Sequence, residues 1–178
     1  WWDAAIEAIQ GVMAQADING EDVAGIGLSG QMHGLVLLDA NNQVVRPAII
    51  WCDQRCQEQV DWINSVAGKE MVVEQTANPV LTGFTAPKLI WVRDYEPANY
   101  EKTRCILLPK GYVRFCLTGE FFGDVSDASG TALFDVVNRC WAKYLIEKLG
   151  IDRSLLPPVV DSSEVARVVP AAASFGLG

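Results

Sequence analysis

The chain has 178 residues, half of them apolar and a fifth charged, enough for one domain with a real core and too apolar to be disordered. Fourteen basic residues against twenty-two acidic ones give a formal charge of −8, which excludes a typical nucleic-acid surface. No apolar run approaches the ~20 residues of a membrane span, and Trp1-Trp2-Asp3 has neither the basic nor the apolar region of a signal peptide. A cytoplasmic protein with no nucleic-acid or membrane partner is therefore expected. The start without methionine reads as a piece of something longer.

Trp2, Ile6, Ile9 and Met13 repeat at helical spacing, with Asp3, Glu7 and Gln10 between them, which predicts an amphipathic helix. Asn19-Gly20 ends the connection. Val23–Leu28 is a short apolar run and predicts a buried strand. Leu35–Leu38 and Val44-Val45 flank the turn-rich Asp39–Gln43, which predicts a β-hairpin. Ala48–Trp51 is a further apolar run.

A helix is predicted from Asp53, with Cys56, Val60, Ile63 and Ala67 inward and Gly68 as its stop. Thr76–Thr82 reads as loop. Thr85 is the predicted cap of the next helix, with Pro87 in its first turn and Leu89, Val92 and Tyr95 toward the core. Pro97 interrupts that helix. Cys105–Leu108 predicts a strand, and Pro109 opens a helix that Thr118-Gly119 stops. Phe121–Thr131 reads as an irregular loop, and Trp141–Leu149 as a last helix closed by Gly150. Beyond Pro157-Pro158 the chain turns Val- and Ala-rich and runs to Gly176-Leu177-Gly178. A helix followed by a buried strand marks the chain as α/β.

Five cysteines (Cys52, Cys56, Cys105, Cys116 and Cys140) form no Cys-x-x-Cys pair, and His33 is the single histidine, so a zinc site is not expected. Buried or half-buried thiols in a reducing compartment are the expectation, with no disulfide between Cys52 and Cys56.

The candidate site lies in Gly25–Gly34, where Gln31, Met32 and His33 follow the apolar run. Polar groups just past a strand end lie where crevices form in open α/β sheets. An imidazole both donates and accepts, which suits a hydroxyl, but it equally suits a satisfied core or hinge position. Met32 alone reads as core, and Gln31 serves a ligand or braces the strand end. Asp53 is a good N-cap and an equally good partner for a ligand hydroxyl. Arg55 is expected to pair with a local acid, Trp51 to pack in the core or beneath a ligand, and Lys88 and Lys110 to lie on solvated helix ends or to sense charge in a cleft. Asp127, Ser129 and Thr131 shape a loop.

Five segments carry a resemblance: Gly30-Gln31-Met32-His33-Gly34, Arg46–Arg55 (Arg-Pro-Ala-Ile-Ile-Trp-Cys-Asp-Gln-Arg), Gly83–Trp91 (Gly-Phe-Thr-Ala-Pro-Lys-Leu-Ile-Trp), Leu108-Pro109-Lys110-Gly111-Tyr112 and Asp124–Thr131 (Asp-Val-Ser-Asp-Ala-Ser-Gly-Thr). Together, in this order, they resemble the N-terminal domain of the FGGY carbohydrate kinases. The Gln-Met-His-Gly element points to the branch of that family that phosphorylates pentuloses. The resemblance implies an actin-like, ribonuclease-H-like α/β ATPase domain, incomplete, with a mixed sheet flanked by helices. It implies ATP- and Mg²⁺-dependent phosphoryl transfer to D-xylulose or a related pentulose, with Met32, His33, Gln31 and Asp53 on the sugar.

The family's Asp-Leu-Gly-Thr-type phosphate loop and the Gly-Gly-Gly-Asp-type motif of its catalytic base do not occur in residues 1–178. Residues 1–178 are thus expected to be a partial N-terminal sugar-kinase domain, without its own catalytic base or metal ligand and inactive alone. The exposed edge or face of the Val23–Leu28 sheet predicts a piece that is marginally stable or self-associates, and a homodimer is left open. Two other readings stay open: a non-catalytic sugar-binding or interaction module, and a kinase for another sugar or polyol.

Overall fold

The computed structural model describes residues 1–166; the remainder of the Val- and Ala-rich tail and Gly176-Leu177-Gly178 lie outside the described residues. The helices are α1 (Trp2–Ala16), α2 (Gln57–Ala67), α3 (Lys69–Thr76), α4 (Thr85–Tyr95), α5 (Pro97–Lys102), α6 (Pro109–Thr118), α7 (Val125–Ala128) and α8 (Lys143–Leu149). The strands form three two-stranded pieces. β1 (Val36–Leu38) runs antiparallel to β2 (Cys105–Leu107), with Val36 opposite Leu107 and Leu38 opposite Cys105. β4 (Phe134–Asp135) is antiparallel to β5 (Cys140–Trp141), and β3 (Gly123–Asp124) is parallel to β6 (Val159–Val160). No helix among the described residues is long and apolar enough to cross a membrane.

Leu35–Leu38 is apolar without alternation because both faces of its sheet are covered. Leu35, Leu37 and Ile106 join the main core with Val60 and Ile63 of α2, Leu89 and Ile90 of α4, and Leu145 and Ile146 of α8. Val36, Leu38 and Leu107 form a second cluster against Tyr112 and Phe115 of α6 and Phe121. The β1–β2 ladder is thus a plate between α6 and the layer of α2, α4 and α8.

The hairpin forms as expected. Asp39 Oδ1 accepts from the amides of Asn41 and Gln43, Asn42 takes a left-handed φ of 62°, and Val44 bridges Leu38. A further bridge joins Leu35 to Ile49. Helix α2 buries Cys56 before it and Val60, Ile63 and Ala67 along it, and Gly68 ends it at φ 82°. Gly119 and Gly150 close α6 and α8 at φ 71° and 61°.

Several expectations fail. Residues 23–28 form no strand; they are unpaired among the described residues, and Ile26 is exposed. An apolar run becomes a buried strand only where a partner covers it, and none of the described segments pairs there. Helix α2 starts at Gln57, so Asp53 is not its cap. Thr85 is the first residue of α4 and not its cap, and Tyr95 points outward, donating to Glu58 and stacking on Trp91. Helix α3 was not expected, because Lys69–Thr76 has a weak apolar period. The Phe121–Thr131 stretch contains β3 and α7, and Trp141, the first residue of the predicted last helix, belongs to β5. Trp51 is exposed rather than core, and Cys52 and Cys140 are exposed; all five thiols are free.

Candidate functional site

Residues 28–34 run along the start of α6 and end at the first residues of the β1 sheet. The approach is close. A Cβ on Gly34 would lie 2.6 Å from Pro109 Cγ, and one on Gly30 3.2 Å from Lys110 Cβ. His33 sits at the bend, with a left-handed φ of 63°. Such a conformation is uncommon outside glycine and is kept where surrounding contacts over-determine it.

Those contacts hold His33 from both ends. Its Nδ1 lies 2.7 Å from the carbonyl oxygen of Gly130, which follows α7. A carbonyl only accepts, so Nδ1 carries the proton and Nε2 is left as an acceptor. Phe84 packs edge-on against the imidazole, with ring centroids 4.7 Å apart. The His33 carbonyl accepts from Thr85 Oγ1 at 3.1 Å and from Lys88 Nζ at 3.0 Å. Burial pushes the imidazole below its ordinary pKa; the Gly130 carbonyl pulls the other way, and the nearby Lys88 charge adds to the fall. The ring is therefore neutral at pH 7.

Met32 and His33 line a cavity of about 490 Å³, with Leu28, Ser29 and Gly30 on the same side. Phe84 and Asn78 form a second wall, and Lys110, Ser126, Asp127, Ser129 and Gly130 a third. This volume lies within the range of about 300–1,000 Å³ usual for small-molecule sites. The third wall carries charge. Lys110 Nζ lies 2.7 Å from Asp124 Oδ2 and 3.7 Å from Asp127 Oδ2. Asp124 is buried, caps α7 through the amides of Ser126 and Asp127, and accepts from Ser162. Burial pushes its pKa up, but Lys110 and the amide and hydroxyl donors outweigh it and hold it low. Asp127 is raised by burial, which Lys110 offsets only in part.

The four expected site residues divide. Met32 and His33 face the cavity; Gln31 and Asp53 do not line it. Gln31 is half-buried. Asp53 is committed to Arg55, whose Nη2 lies 2.8 Å away and holds the carboxylate low; Arg55 in turn lies over the Trp91 ring. The local acid pairing expected of Arg55 therefore forms. The lysines correct their expectation: Lys88 is fully buried, and Lys110 is tied up in the acid cluster. Sequence reasoning weighs Lys88 and Lys110 as charge sensors in a cleft, but gives Asp127 no role beyond shaping its loop. The motif segments contained them, but no spacing rule brings residues 33, 88, 110 and 127 together.

Among the described residues no group of three His, Cys, Asp or Glu side chains could hold a metal ion. Lys110 is already paired with Asp124 and with Asp127, the carboxylate on the cavity wall. These residues do not fit a Mg²⁺ site.

The chain resembles proteins of known activity along its full length. Xylulose kinase of Bacillus subtilis (strain 168) is 40% identical over 179 residues, covering 99% of this chain and 36% of that protein. Xylulose kinase of Escherichia coli (strain K12) is 39% identical over 165 residues, covering 93% of this chain and 33% of that protein. The chain spans about a third of the length of these relatives. Among solved structures, a xyloylose kinase from Brucella ovis superposes with a TM-score of 0.83 at 38% identity, over 97% of this chain and 35% of that one. Xylulose kinase from Rhodospirillum rubrum gives 0.91 at 27% identity, over 99% of this chain and 36% of that one. The fold is the actin-like, ribonuclease-H-like α/β fold of these kinases, of which the chain spans a part. The model of the FGGY family of carbohydrate kinases, N-terminal domain, matches residues 1–178, and the chain belongs to that family.

Proposed function

We propose that residues 1–178 are the sugar-binding portion of an ATP-dependent carbohydrate kinase, and that the sugar is D-xylulose, phosphorylated to D-xylulose 5-phosphate. The observation that carries this reading is His33. It is held at a strained φ with a neutral ring whose Nε2 is free to accept, at a cavity wall it shares with Met32. A sugar is recognised by buried polar groups that each need a partner, and a fixed acceptor beside an apolar methionine wall suits a polyhydroxylated chain. The relatives named xylulose kinase favour the pentulose over other sugars. In this reading Met32 and His33 position the acceptor hydroxyl. ATP, Mg²⁺ and the base that takes the hydroxyl proton belong to the rest of the enzyme, since phosphoryl transfer needs positioning, charge stabilisation and a base.

The test is steady-state kinetics of the full-length protein that carries this segment. His33→Ala is expected to raise KM for D-xylulose by roughly tenfold or more, as loss of a hydrogen bond to a buried hydroxyl does, with KM for ATP nearly unchanged. An unchanged KM for D-xylulose would remove His33 from the sugar, and turnover confined to another sugar or polyol would refute the substrate.

A further inference from the structure

Lys88 is a long, fully buried side chain, out of contact with solvent. Helix α4 places it beneath the bend at His33. A buried ammonium ordinarily has a carboxylate beside it. Lys88 has none within ion-pair distance among the described residues; its Nζ donates to two backbone carbonyls, those of His33 at 3.0 Å and of Gly83. Gly83 leads into Phe84, the aromatic that packs on the imidazole. Both bonds therefore fall on the two chain segments that form the wall around His33. The hydroxyl of Thr85, one turn earlier on the same helix, donates to the same His33 carbonyl. A helix interior facing an apolar core would be filled more cheaply by leucine or methionine.

We propose that Lys88, assisted by Thr85, is the positioning residue of the sugar site: it clamps the His33 carbonyl so that the left-handed residue presents its imidazole to the ligand. The inference rests on the sugar-binding reading of His33. The geometry is a tripod. Gly130 fixes the ring through Nδ1, Phe84 fixes its plane, and Lys88 with Thr85 fixes the peptide from which the ring departs. The charged groups around the imidazole are Lys88 from α4, Lys110 from α6 and Asp127 from α7. Asp53, Cys52 and Cys56 face Lys88 from the segment leading into α2.

The test uses the full-length enzyme with Lys88→Met, Lys88→Arg, Thr85→Val and His33→Ala. Lys88→Met is expected to raise KM for D-xylulose by roughly tenfold, the scale of a misplaced positioning group, and to leave KM for ATP within about twofold. Loss of the Lys88 charge is also expected to move the NMR titration of His33 to higher pH, the resonance being identified by its absence in His33→Ala. Lys88→Arg, which keeps the charge, is expected to retain the wild-type His33 titration. Should Lys88→Met not fold, Thr85→Val removes the second donor from the same carbonyl and is expected to raise the sugar KM roughly threefold. The proposal is overturned if these variants leave the sugar KM unchanged while His33→Ala raises it. It is also overturned if the sugar and ATP KM values rise together, or if the His33 titration does not move on loss of the Lys88 charge. An unchanged sugar KM in His33→Ala would instead sink the sugar reading, and the titration would still report on the clamp.

Discussion

The Nδ1 of His33 and the carbonyl oxygen of Gly130 meet at 2.7 Å across 97 residues of chain. This contact joins the bend before β1 to the turn after α7, so it decides which tautomer the ring adopts and where Nε2 lies. It also leaves no room: a Cβ on Gly130 would fall 2.3 Å from Nδ1. Gly130→Ala is therefore expected to displace the imidazole. KM for D-xylulose should rise by roughly tenfold, with a loss of about 1 kcal/mol in unfolding free energy. A variant with wild-type KM would show that the ring can move without consequence for the sugar.

Gly34→Ala tests the other side of the bend. Its Cβ would meet Cγ and Cδ of Pro109 at 2.6 and 2.9 Å, atoms of a ring that cannot rotate away. The overlap has to shift either the bend or the start of α6. A loss of about 1–3 kcal/mol is expected, readable as a lower midpoint in thermal or urea unfolding. A midpoint equal to that of the parent protein would mean that the segment and α6 are not held as tightly as described.

Asp124 and Asp127 are expected to respond with opposite sign. Asp124 is held below the ordinary carboxylate value, so its ionised form stabilises the fold at neutral pH, and that stability is lost as pH falls through the lowered value. Asp127 is raised above the ordinary value, so its contribution worsens as pH rises from the ordinary value through the raised one. At pH 7, Asp124→Asn should destabilise by about 3 kcal/mol, because it strips Lys110 of its close partner. Asp127→Asn should be neutral or stabilising. Urea unfolding of both variants at pH 7 distinguishes them, and a larger loss for Asp127→Asn would invert the assignment.

Lys88 gives a pH signature in the alkaline range. Burial lowers its pKa from 10.5 to about 8, with Cys56, Asp53 and Cys52 opposing the fall. Between these values the unfolded chain holds more protons than the folded one, so stability rises with pH from about 8 to about 10.5. Below pH 8 the full cost of burying the charge is present. Relative to Lys88→Met, wild-type unfolding free energy should climb by an amount on the order of 2–3 kcal/mol across that window. Parallel curves for the two proteins would mean that Lys88 titrates normally.

Much of the local structure is legible from residue patterns. The period of Val60, Ile63 and Ala67, the turn chemistry at Asp39–Gln43, Pro109 at the opening of α6, and Gly68, Gly119 and Gly150 at helix ends all act within a few residues of themselves. What failed depended on which partner a residue takes, near or far along the chain. Val23–Leu28 is spelled like a buried strand, but burial needs a neighbour. Asp53 is spelled like an N-cap, but Arg55 captures the carboxylate first. Thr85 is likewise a good cap by type, and its hydroxyl is instead drawn to a carbonyl 52 residues earlier.

For the site, the sequence by itself determined which groups were available: one imidazole beside a methionine, an acid-rich loop, two lysines near helix starts, and five ordered segments that resemble one kinase family. Those properties follow from residue type and order, and no fold is needed to read them. Only the tertiary structure decided how they are used. It turned Lys88 inward onto the His33 carbonyl, gave Lys110 to Asp124, and kept Asp53 and Gln31 out of the cavity wall. The physical reason is that a polar side chain takes the partner that folding brings within about 3 Å: for Lys88 and Lys110 that partner comes from segments distant in sequence, whereas Asp53 is held by Arg55 two residues on.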